Sequence, residues 1–412
     1  MRGSDDTLSG WDNDDRIFGE VGNDVIWAGF GSDSLYGGDG NDTVSGDDNK
    51  YVHDDIYRLY GGEGDDELTT YGGVNFSSGG KGNDTVIVCY DVGGVARGGA
   101  GDDMLYMVYI GSPYAGGEID VSVTLNGSAT LGNGAMTLSG FERLRITTYH
   151  GDDTVIGGNR DDRIEVDSGA NTVRSMGGDD FVSAIWGAAN DLDGGAGHDF
   201  LHIIAYGDLH GLALTVTGTS ATDDAGSVMA GFEQWMIYGS YFADAVVLGD
   251  GDDWLRGYKG ADVVRGMGGK DTLDGDSGAD TLDGGAGRDV LIGGRKLDLL
   301  TGGHGADSFV FKHRTGSGDV ITDFASGVDR LRISDRVLTG GLPAGGVDGS
   351  NFHLDAAIGT GGQFVYCMIG ETGQGALIWD GNGTDAAGEI VVALLDGMPV
   401  LTAADLLITS FD

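Results

Sequence analysis

Aspartates recur every nine residues in this chain, and their spacing is the feature with the clearest chemistry. Between residues 248 and 311 they stand at Asp253, Asp262, Asp271, Asp280, Asp289, Asp298 and Asp307. A glycine precedes most of them by two positions and a large apolar residue follows each by two, as Gly287 and Leu291 do around Asp289. Hard cations such as Ca²⁺ prefer carboxylate and carbonyl oxygens, whereas a softer metal would need Cys or His here. The spacing therefore predicts a row of calcium sites.

The nine-residue unit also indicates how the aspartates would be positioned. Glycine permits tight turns and close approach of the backbone to an ion, and the last three residues can form a short strand with one inward side chain. Two units, eighteen residues, would then make one coil. We therefore expect two stacked ladders, one of Asp253, Asp271, Asp289 and Asp307, the other of Asp262, Asp280 and Asp298. One buried apolar side chain per unit is little against the entropy of ordering nine residues, so metal binding is expected to supply folding energy.

Residues 284–292 write the unit almost literally as GGAGRDVLI, and this is one of seven such units in unbroken register between residues 248 and 311. This pattern resembles the GGxGxDxUx repeat of RTX proteins, which binds calcium in a parallel β-roll. The resemblance implies an all-β chain: a parallel β-roll or β-solenoid of nonapeptide repeats that holds several Ca²⁺ ions.

The same unit recurs on the N-terminal side of this stretch. The additional candidate calcium ligands are Asp6, Asp15, Asp24, Asp33, Asp42, Asp66, Asp84, Asp103, Asp153, Asp162, Asp180 and Asp199. The predicted carbonyl ligands lie near Gly22, Gly31, Gly40, Gly251, Gly260, Gly269, Gly278, Gly287 and Gly305.

Some positions are expected to form weak or empty sites. Lys296 replaces the glycine before Asp298, and its charge would compete with a cation. Asn75 and Asn171 lack the negative charge, and Asp244 does not follow a glycine-rich turn.

Two longer segments without nonapeptides resemble each other. Each shows strand-like alternation, as at Leu212, Leu214 and Val216, and each then has a Phe-Glu pair eleven residues before Asp153 or Asp244. We interpret both as longer strands or a hairpin that continue the solenoid without binding ions. The pair is interpreted as a core phenylalanine and an edge glutamate, with a ligand role for Glu142 or Glu233 as the alternative.

After Phe311 the composition changes, and a solenoid needs a cap over its last coil. The segments 319–324, 327–334, 376–383 and 401–408 resemble the C-terminal domain of serralysin-type metalloproteases. That resemblance implies a β-sandwich-like cap and an uncleaved signal for the type I secretion machinery. The expected organisation is an N-terminal repeat block at 1–45, degenerate repeats with a loop insertion at 46–105, a β insert at 106–150, a repeat block at 151–202, a second β insert at 203–243, the main β-roll at 244–311 and the cap with the secretion signal at 312–412.

Composition excludes some classes of partner. The chain has 66 acidic and 23 basic residues, a net charge of −43, so nucleic acid is not an expected partner. Anionic membranes are disfavoured unless calcium bridges them. No apolar run suits a transmembrane segment, and the N-terminus shows no cleavable signal peptide. The cysteines Cys89 and Cys367 form neither a disulfide framework nor a zinc pattern.

No catalytic motif was found. His198 and His202 are four residues apart, but they lie inside a repeat, where turn and strand would keep them off a common helical face. The sequence predicts a secreted, calcium-dependent protein without catalysis of its own. Two alternatives stay open: an extracellular adhesin or matrix protein that binds polysaccharide or a cell surface through calcium, using aromatics such as Tyr106, Tyr109, Tyr114, Trp235 and Tyr238, or the C-terminal part of a secreted hydrolase or polysaccharide epimerase.

Overall fold

The computed structural model describes residues 3–46, 55–71, 74–89, 93–108, 120–131, 134–205, 210–312, 318–334, 345–347, 352–354, 362–369, 373–380 and 389–409. Apart from one 3-10 helix at Ala403–Asp405, the regular elements of these residues are β-strands. Across these ranges, no helix has the length and apolar character needed to cross a bilayer. The all-β class expected from the repeats is confirmed.

The strands up to residue 204 are β1 (Thr7–Ser9), β2 (Arg16–Val21), β3 (Val25–Trp27), β4 (Ser34–Asp39), β5 (Thr43–Ser45), β6 (Arg58–Glu63), β7 (Glu67–Tyr71), β8 (Val74–Lys81), β9 (Thr85–Cys89), β10 (Gly93–Ala100), β11 (Met104–Val108), β12 (Val121–Thr124), β13 (Ser128–Leu131), β14 (Gly134–Ser139), β15 (Arg143–Thr147), β16 (Thr154–Ile156), β17 (Arg163–Val166), β18 (Thr172–Arg174), β19 (Phe181–Ile185), β20 (Asp191–Asp193) and β21 (Phe200–Ile204). The remaining strands are β22 (Ala213–Thr217), β23 (Ser220–Asp223), β24 (Val228–Ala230), β25 (Gln234–Tyr238), β26 (Ala245–Val247), β27 (Trp254–Arg256), β28 (Val263–Arg265), β29 (Gly268–Gly269), β30 (Thr272–Asp274), β31 (Thr281–Gly287), β32 (Val290–Ile292), β33 (Leu299–Gly305), β34 (Ser308–Phe311), β35 (Asp319–Ile321), β36 (Arg330–Ser334), β37 (Gly345–Gly346), β38 (Phe352–Leu354), β39 (Gln363–Ile369), β40 (Gln374–Asp380), β41 (Glu389–Asp396) and β42 (Leu406–Thr409).

Many of the nonapeptide strands are only three residues long, and their central side chain points into the core. Ile26 in β3, Val264 in β28 and Leu273 in β30 are 0% exposed, while the residues on either side of each are at least partly exposed. This alternation is what a pleated strand with a single buried residue produces. The inward apolar residue of the repeat is confirmed at these positions.

The chain forms two compact units. Unit 1 contains Met1–His202 and Ala225–Phe232. In one of its sheets β1, β3, β5, β7, β9, β11, β15, β17 and β19 pair in that order, all parallel. The opposite side pairs β2, β4, β6, β8, β10 and β14 in parallel, and β12, β16, β18, β20 and β24 likewise. Thr7 lies beside Val25, eighteen residues later, so two nonapeptides make one coil.

Unit 2 contains Ile203–Asp224 and Glu233–Asp412. One sheet pairs β25, β27, β30, β32, β34, β36 and β42 in parallel, with β37 antiparallel to β42. The other pairs β22, β26, β28, β31, β33, β35 and β41 in parallel, and then continues as the antiparallel strands β40 and β39. The strands of the C-terminal cap therefore extend both sheets of the roll.

Both inserts supply antiparallel pairs on a parallel coil, as expected. In unit 1, β12 pairs with β13 and β13 with β14, all antiparallel, while β12 also joins β16 in parallel. In unit 2, β22 pairs antiparallel with β23 and in parallel with β26. Phe141 and Phe232 are each 0% exposed, which confirms the phenylalanine of the Phe-Glu pair as a core residue.

Candidate metal centres

Aspartates from successive coils are connected by hydrogen bonds at the turns. The backbone N–H of Asp271 donates to Oδ1 of Asp289 at 2.9 Å, and that of Asp289 donates to Oδ1 of Asp307 at 3.0 Å. At the opposite turn, the N–H of Asp262 donates to Asp280 at 2.8 Å, and that of Asp280 to Asp298 at 2.9 Å. Both ladders expected in the main block are present.

Unit 1 contains ladders of the same kind. In the longest of them, the backbone N–H of each aspartate donates to Oδ1 of the next one along the chain. Its members in order are Asp6, which is part-buried, Asp24, Asp42, Asp66, Asp84 and Asp103. Asp162, Asp180 and Asp199 form a shorter series of the same geometry, and Asp15 donates to Asp33 at 2.7 Å.

The second carboxylate oxygen of most rungs is buried without a hydrogen-bond donor. Within the described ranges this holds for Oδ2 of Asp15, Asp24, Asp33, Asp42, Asp66, Asp84, Asp103, Asp153, Asp180, Asp262, Asp271, Asp280, Asp289, Asp298 and Asp307. An unsatisfied buried acceptor costs about 1–3 kcal/mol, and more when it is charged. Rows of such oxygens fit a bound cation, which would satisfy them together.

Backbone carbonyls converge on the same oxygens. A Cβ added to Gly266 would lie 2.2 Å from Oδ2 of Asp271 and 2.5 Å from the carbonyl oxygen of Gly284. That position therefore requires glycine, and it places a carboxylate and a carbonyl of the next coil around one point. Gly266 lies five residues before Asp271, whereas the sequence pattern predicted a role for a different glycine, the one two residues before each aspartate. Gly260 and Gly269 show that role: their φ values of 140° and 109° let the chain turn left-handed.

Burial raises the pKa of these carboxyls strongly. Burial, opposed by the backbone N–H and reinforced by neighbouring aspartates of the ladder, raises the pKa of Asp262 and of Asp271 to about 8. Burial likewise raises the pKa of Asp66 to about 7. Without a positive charge nearby, the ladders therefore resist ionisation at neutral pH.

A few candidate ligands are satisfied by the protein itself. Asp162 accepts N–H groups from Leu144 at 2.5 Å and Gly158 at 2.6 Å, one on each oxygen. Asp253 likewise accepts from Trp235 at 2.8 Å and Gly249 at 3.3 Å. Each of these residues is the first aspartate of a ladder after an insert. A strand residue of the insert donates the N–H that a preceding aspartate would otherwise donate. They have less need of an ion than their neighbours.

The expected weak positions differ from one another. Asp244 accepts from the Leu212 N–H at 2.7 Å and from both the hydroxyl and the N–H of Ser240, so protein donors occupy both of its oxygens. Lys296 has a φ of 87°, and its ammonium group lowers the pKa of Asp298 against the effect of burial.

Sequence reasoning missed two rungs in the cap. The N–H of Asp298 donates to Asp319 at 3.2 Å, and that of Asp307 donates to Asp329 at 3.0 Å. Spacings of 21 and 22 residues hid them from a search for nines. The signal was an aspartate two residues before a buried apolar side chain, here Ile321 and Leu331.

Glu142 continues the long ladder of unit 1. Its Oε2 accepts the N–H of Asp103 at 2.9 Å and so occupies the place of the next aspartate. The glutamate of the Phe-Glu pair is thus an edge residue, as expected, and it also brings a second carboxylate against Asp103.

A second, exposed ladder runs in the opposite direction along the turns. In unit 1, where an Asp or Asn stands directly before a ladder aspartate, its side chain accepts the N–H of its counterpart one coil later: the N–H of Asn41 donates to Asn23 at 2.8 Å, and that of Asp65 donates to Asn41 at 2.9 Å. This ladder was not predicted. Its signal is the recurrence of Asp or Asn directly before the ligand position.

Other metal chemistry has no support in the described part of the chain. No group of three or more His, Cys, Asp and Glu side chains converges there, so a site would combine few carboxylates with carbonyls. His198 lies in a turn and His202 in β21, as the repeat register predicts. His202 Nδ1 is 3.1 Å from the Ser183 hydroxyl, and burial lowers the pKa of this imidazole.

Comparison with known proteins supports the repeat. The family described as RTX calcium-binding nonapeptide repeat (4 copies) matches residues 2–26, 18–49, 58–86, 150–182, 186–202, 247–282 and 283–311. A search of curated proteins found no match.

Solved structures with similarity include two epimerase subunits and a lipase. The AlgE6R3 subunit of the Azotobacter vinelandii mannuronan C5-epimerase is 24% identical over 40% of this chain and 78% of its own, with a TM-score of 0.26. The AlgE6R2 subunit is 27% identical over 40% of this chain and 92% of its own, with a TM-score of 0.20. The extracellular lipase LipA from Serratia marcescens is 17% identical over 65% of this chain and 42% of its own, with a TM-score of 0.19. Together with the coils and ladders above, the family match shows that these residues are RTX calcium-binding nonapeptide repeats folded as a parallel β-roll.

Proposed function

We propose that this protein is a secreted calcium-binding protein whose β-rolls fold on binding Ca²⁺ outside the cell, without catalysis of its own. The observation that carries the proposal is the rows of buried, donor-free Oδ2 atoms at successive turns. They coincide with the positions that the RTX calcium-binding repeat occupies.

The residues of a rung have separate tasks. The Oδ1 of Asp289 holds the preceding coil by accepting the Asp271 N–H. The Oδ2 of Asp271 and the Gly284 carbonyl would be ligands, since they lie around one point. Bound calcium would supply the positive charge that ionised, buried carboxylates require. Leu273 and Leu291, both 0% exposed, then stack in the core between the turns.

Folding outside the cell follows from charge and affinity. A net charge of −43 favours an extended chain where calcium is scarce, because like charges repel. Extracellular calcium modules bind with dissociation constants of about 10⁻⁴–10⁻³ M. The type I secretion machinery is the proposed export partner. In the fold, Leu406 and Ile408 of β42 are each 2% exposed, so a C-terminal signal would be read on the unfolded chain.

Circular dichroism of the full chain, with calcium and after chelation by EGTA, tests the proposal. We expect strand signal with calcium and its loss with EGTA. Titration calorimetry should show binding coupled to that change. A strand signal that chelation leaves unchanged, with no heat of calcium binding, would overturn the proposal.

Carbohydrate binding is the second candidate, and an aromatic surface in unit 2 favours it. The Tyr238 ring is 4.9 Å from that of Trp254, and the Arg256 guanidinium lies 4.8 Å from the centre of the Tyr258 ring. Aromatic faces beside cations suit ligands that are both apolar and acidic. A glycan array probed with and without calcium checks this candidate, and absence of calcium-dependent binding would remove it.

Not all the aromatics that the sequence suggested as exposed carbohydrate-binding residues are exposed. Trp235 is only 1% exposed, because it is an inward residue of β25, so its expected exposure was wrong. Tyr106 is partly buried, with the Arg145 guanidinium 4.6 Å from its ring. Tyr109 and Tyr114 lie outside the described residues.

The absence of catalysis is part of the proposal. Assays on polysaccharides and on casein distinguish it from the interpretation as the C-terminal part of a secreted hydrolase or polysaccharide epimerase. Turnover of either substrate by the purified chain would contradict the proposal.

A further inference from the structure

Along one turn edge of unit 1, the ladder of hydrogen bonds continues, but neutral side chains take the place of the charged aspartates. The N–H of Asp153 donates to Oδ1 of Asn171 at 3.0 Å, that of Asn171 donates to Oδ1 of Asn190 at 3.0 Å, and that of Asn190 donates to the Ser227 hydroxyl at 3.2 Å. Asn171 is 1% exposed and Asn190 is 4% exposed, as buried as the ladder aspartates. These side chains therefore occupy the ligand position of the repeat.

The second side-chain atom behaves differently in these rungs. Nδ2 of Asn171 donates to the carbonyls of Asp167 at 2.9 Å and Gly169 at 3.2 Å, and Nδ2 of Asn190 donates to the Ile185 carbonyl at 3.2 Å. In most aspartate rungs the matching atom is Oδ2, which is buried without a donor, as in Asp180. Asparagine and aspartate have nearly the same shape, but only the amide nitrogen can donate hydrogen bonds.

The carbonyls that accept hydrogen bonds from the Asn171 amide show which groups an aspartate carboxylate would face at this position. In an aspartate rung, turn carbonyls facing Oδ2 would place acceptors against an acceptor, and only a cation can satisfy all of them. An amide group is covalently part of the chain and can donate hydrogen bonds to the same carbonyls, so that no ion is needed.

We propose that Asn171 and Asn190 replace the calcium ion with an amide, so that these two rungs of unit 1 close without metal. The opposite edge retains ion-dependent rungs, as at Asp180, whose Oδ2 has no donor. The coils that contain Asn171 and Asn190 thus have metal-independent rungs at one edge and a metal-dependent rung at the other. The inference deepens the proposed function and rests on it, since it states which rungs of the roll need calcium.

Two consequences separate this arrangement from a uniformly loaded roll. The number of bound ions is smaller than the number of repeats, because amide rungs hold none. In chelator, the strands next to the amide edge, β18 (Thr172–Arg174) and β20 (Asp191–Asp193), keep more protection against hydrogen exchange than β28 (Val263–Arg265) and β30 (Thr272–Asp274) of unit 2. Both turn edges of that part of unit 2 carry aspartates.

The test uses full-length chains with single isosteric substitutions. Asn171→Asp should bind about one additional Ca²⁺ per chain, because it creates a carboxylate pair with Asp153. In EGTA it should lose the exchange protection of β18, and calcium should restore that protection. Asp180→Asn, the reverse substitution, should bind about one ion fewer. Asn41→Asp is the matched control, because Asn41 belongs to the second, exposed ladder. This substitution should leave the number of bound calcium ions unchanged.

The outcomes distinguish this inference from the proposed function. If the unmodified chain binds no calcium, the proposed function fails. If the unmodified chain binds calcium but Asn171→Asp neither adds an ion nor loses protection in EGTA, only the amide inference is overturned. Exchange protection measured with calcium present reports whether each variant folds, and Asn190→Asp provides a second site at which the same gain must appear.

Discussion

Protonation of the buried ladder aspartates at acid pH should partly replace calcium in stabilising the folded roll. Burial raises the pKa of Asp262 and Asp271 from 3.8 to about 8 in the fold, a difference of roughly four units. At about 1.4 kcal/mol per pKa unit, this corresponds to at most roughly 6 kcal/mol for one rung whose neighbours stay ionised. The total for a ladder is smaller than the sum, since protonation of one rung relieves its neighbours.

The sign of the effect follows from the direction of the shift. A carboxyl whose pKa is raised by folding binds its proton more tightly in the folded state. Its contribution to stability is therefore complete below the unfolded pKa and is lost as the pH rises through the folded value. Metal-free protein should gain strand structure on acidification from pH about 8 to about 4, with protonation in place of a cation.

Circular dichroism of dialysed, calcium-free protein across this pH range measures the effect. Release of surface repulsion acts in the same direction, so a parallel sample at neutral pH with about 0.5 M NaCl serves as the control, because salt screens exposed charges far more than buried ones. Strand signal that returns with salt alone would assign the effect to net charge. Signal that stays absent at acid pH would refute the reasoning about buried carboxyls.

Five substitutions in unit 2, two of them controls, test its packing and its sites. Leu273→Ala, at a residue 0% exposed, should cost about 2–5 kcal/mol and raise the calcium concentration needed for folding, whereas Leu297→Ala, at a residue 60% exposed, should change little in the same titration. Gly266→Ala should weaken calcium binding measured by calorimetry, since its Cβ would lie 2.2 Å from Oδ2 of Asp271. Asp271→Asn should reduce the bound calcium more than Asp253→Asn, because protein donors already reach both oxygens of Asp253; equal losses would contradict that ranking.

The repeat made much of the fold predictable. A strict period of nine sets both the inward residue and the stacking of every second aspartate, so both ladders of the main block followed from spacing alone. Antiparallel pairs in the inserts were also predictable, because alternation at Leu212, Leu214 and Val216 indicates strands.

The remainder depended on contacts that spacing does not record. Asp319 and Asp329 follow turns of irregular length, so only the fold aligns them with the ladders. Trp235 belongs to a segment without nonapeptides, where the register gave no guide to which face is buried. The donors to Asp162 and Asp253 come from strands of the inserts, whose alignment with the repeats has no sequence signature.

The ladder hydrogen bonds give the roll a polarity. In unit 2, the N–H of each ladder aspartate from Asp244 to Asp307 is capped by a carboxylate that lies later in the chain, and the last two donors, Asp298 and Asp307, are capped by the C-terminal segment. A coil added on the N-terminal side finds its acceptor already in place, whereas one added on the C-terminal side leaves its own N–H open. We therefore expect unit 2 to assemble from its C-terminal segment towards its N-terminal side, because each ordered coil offers the acceptors that the preceding coil in sequence needs.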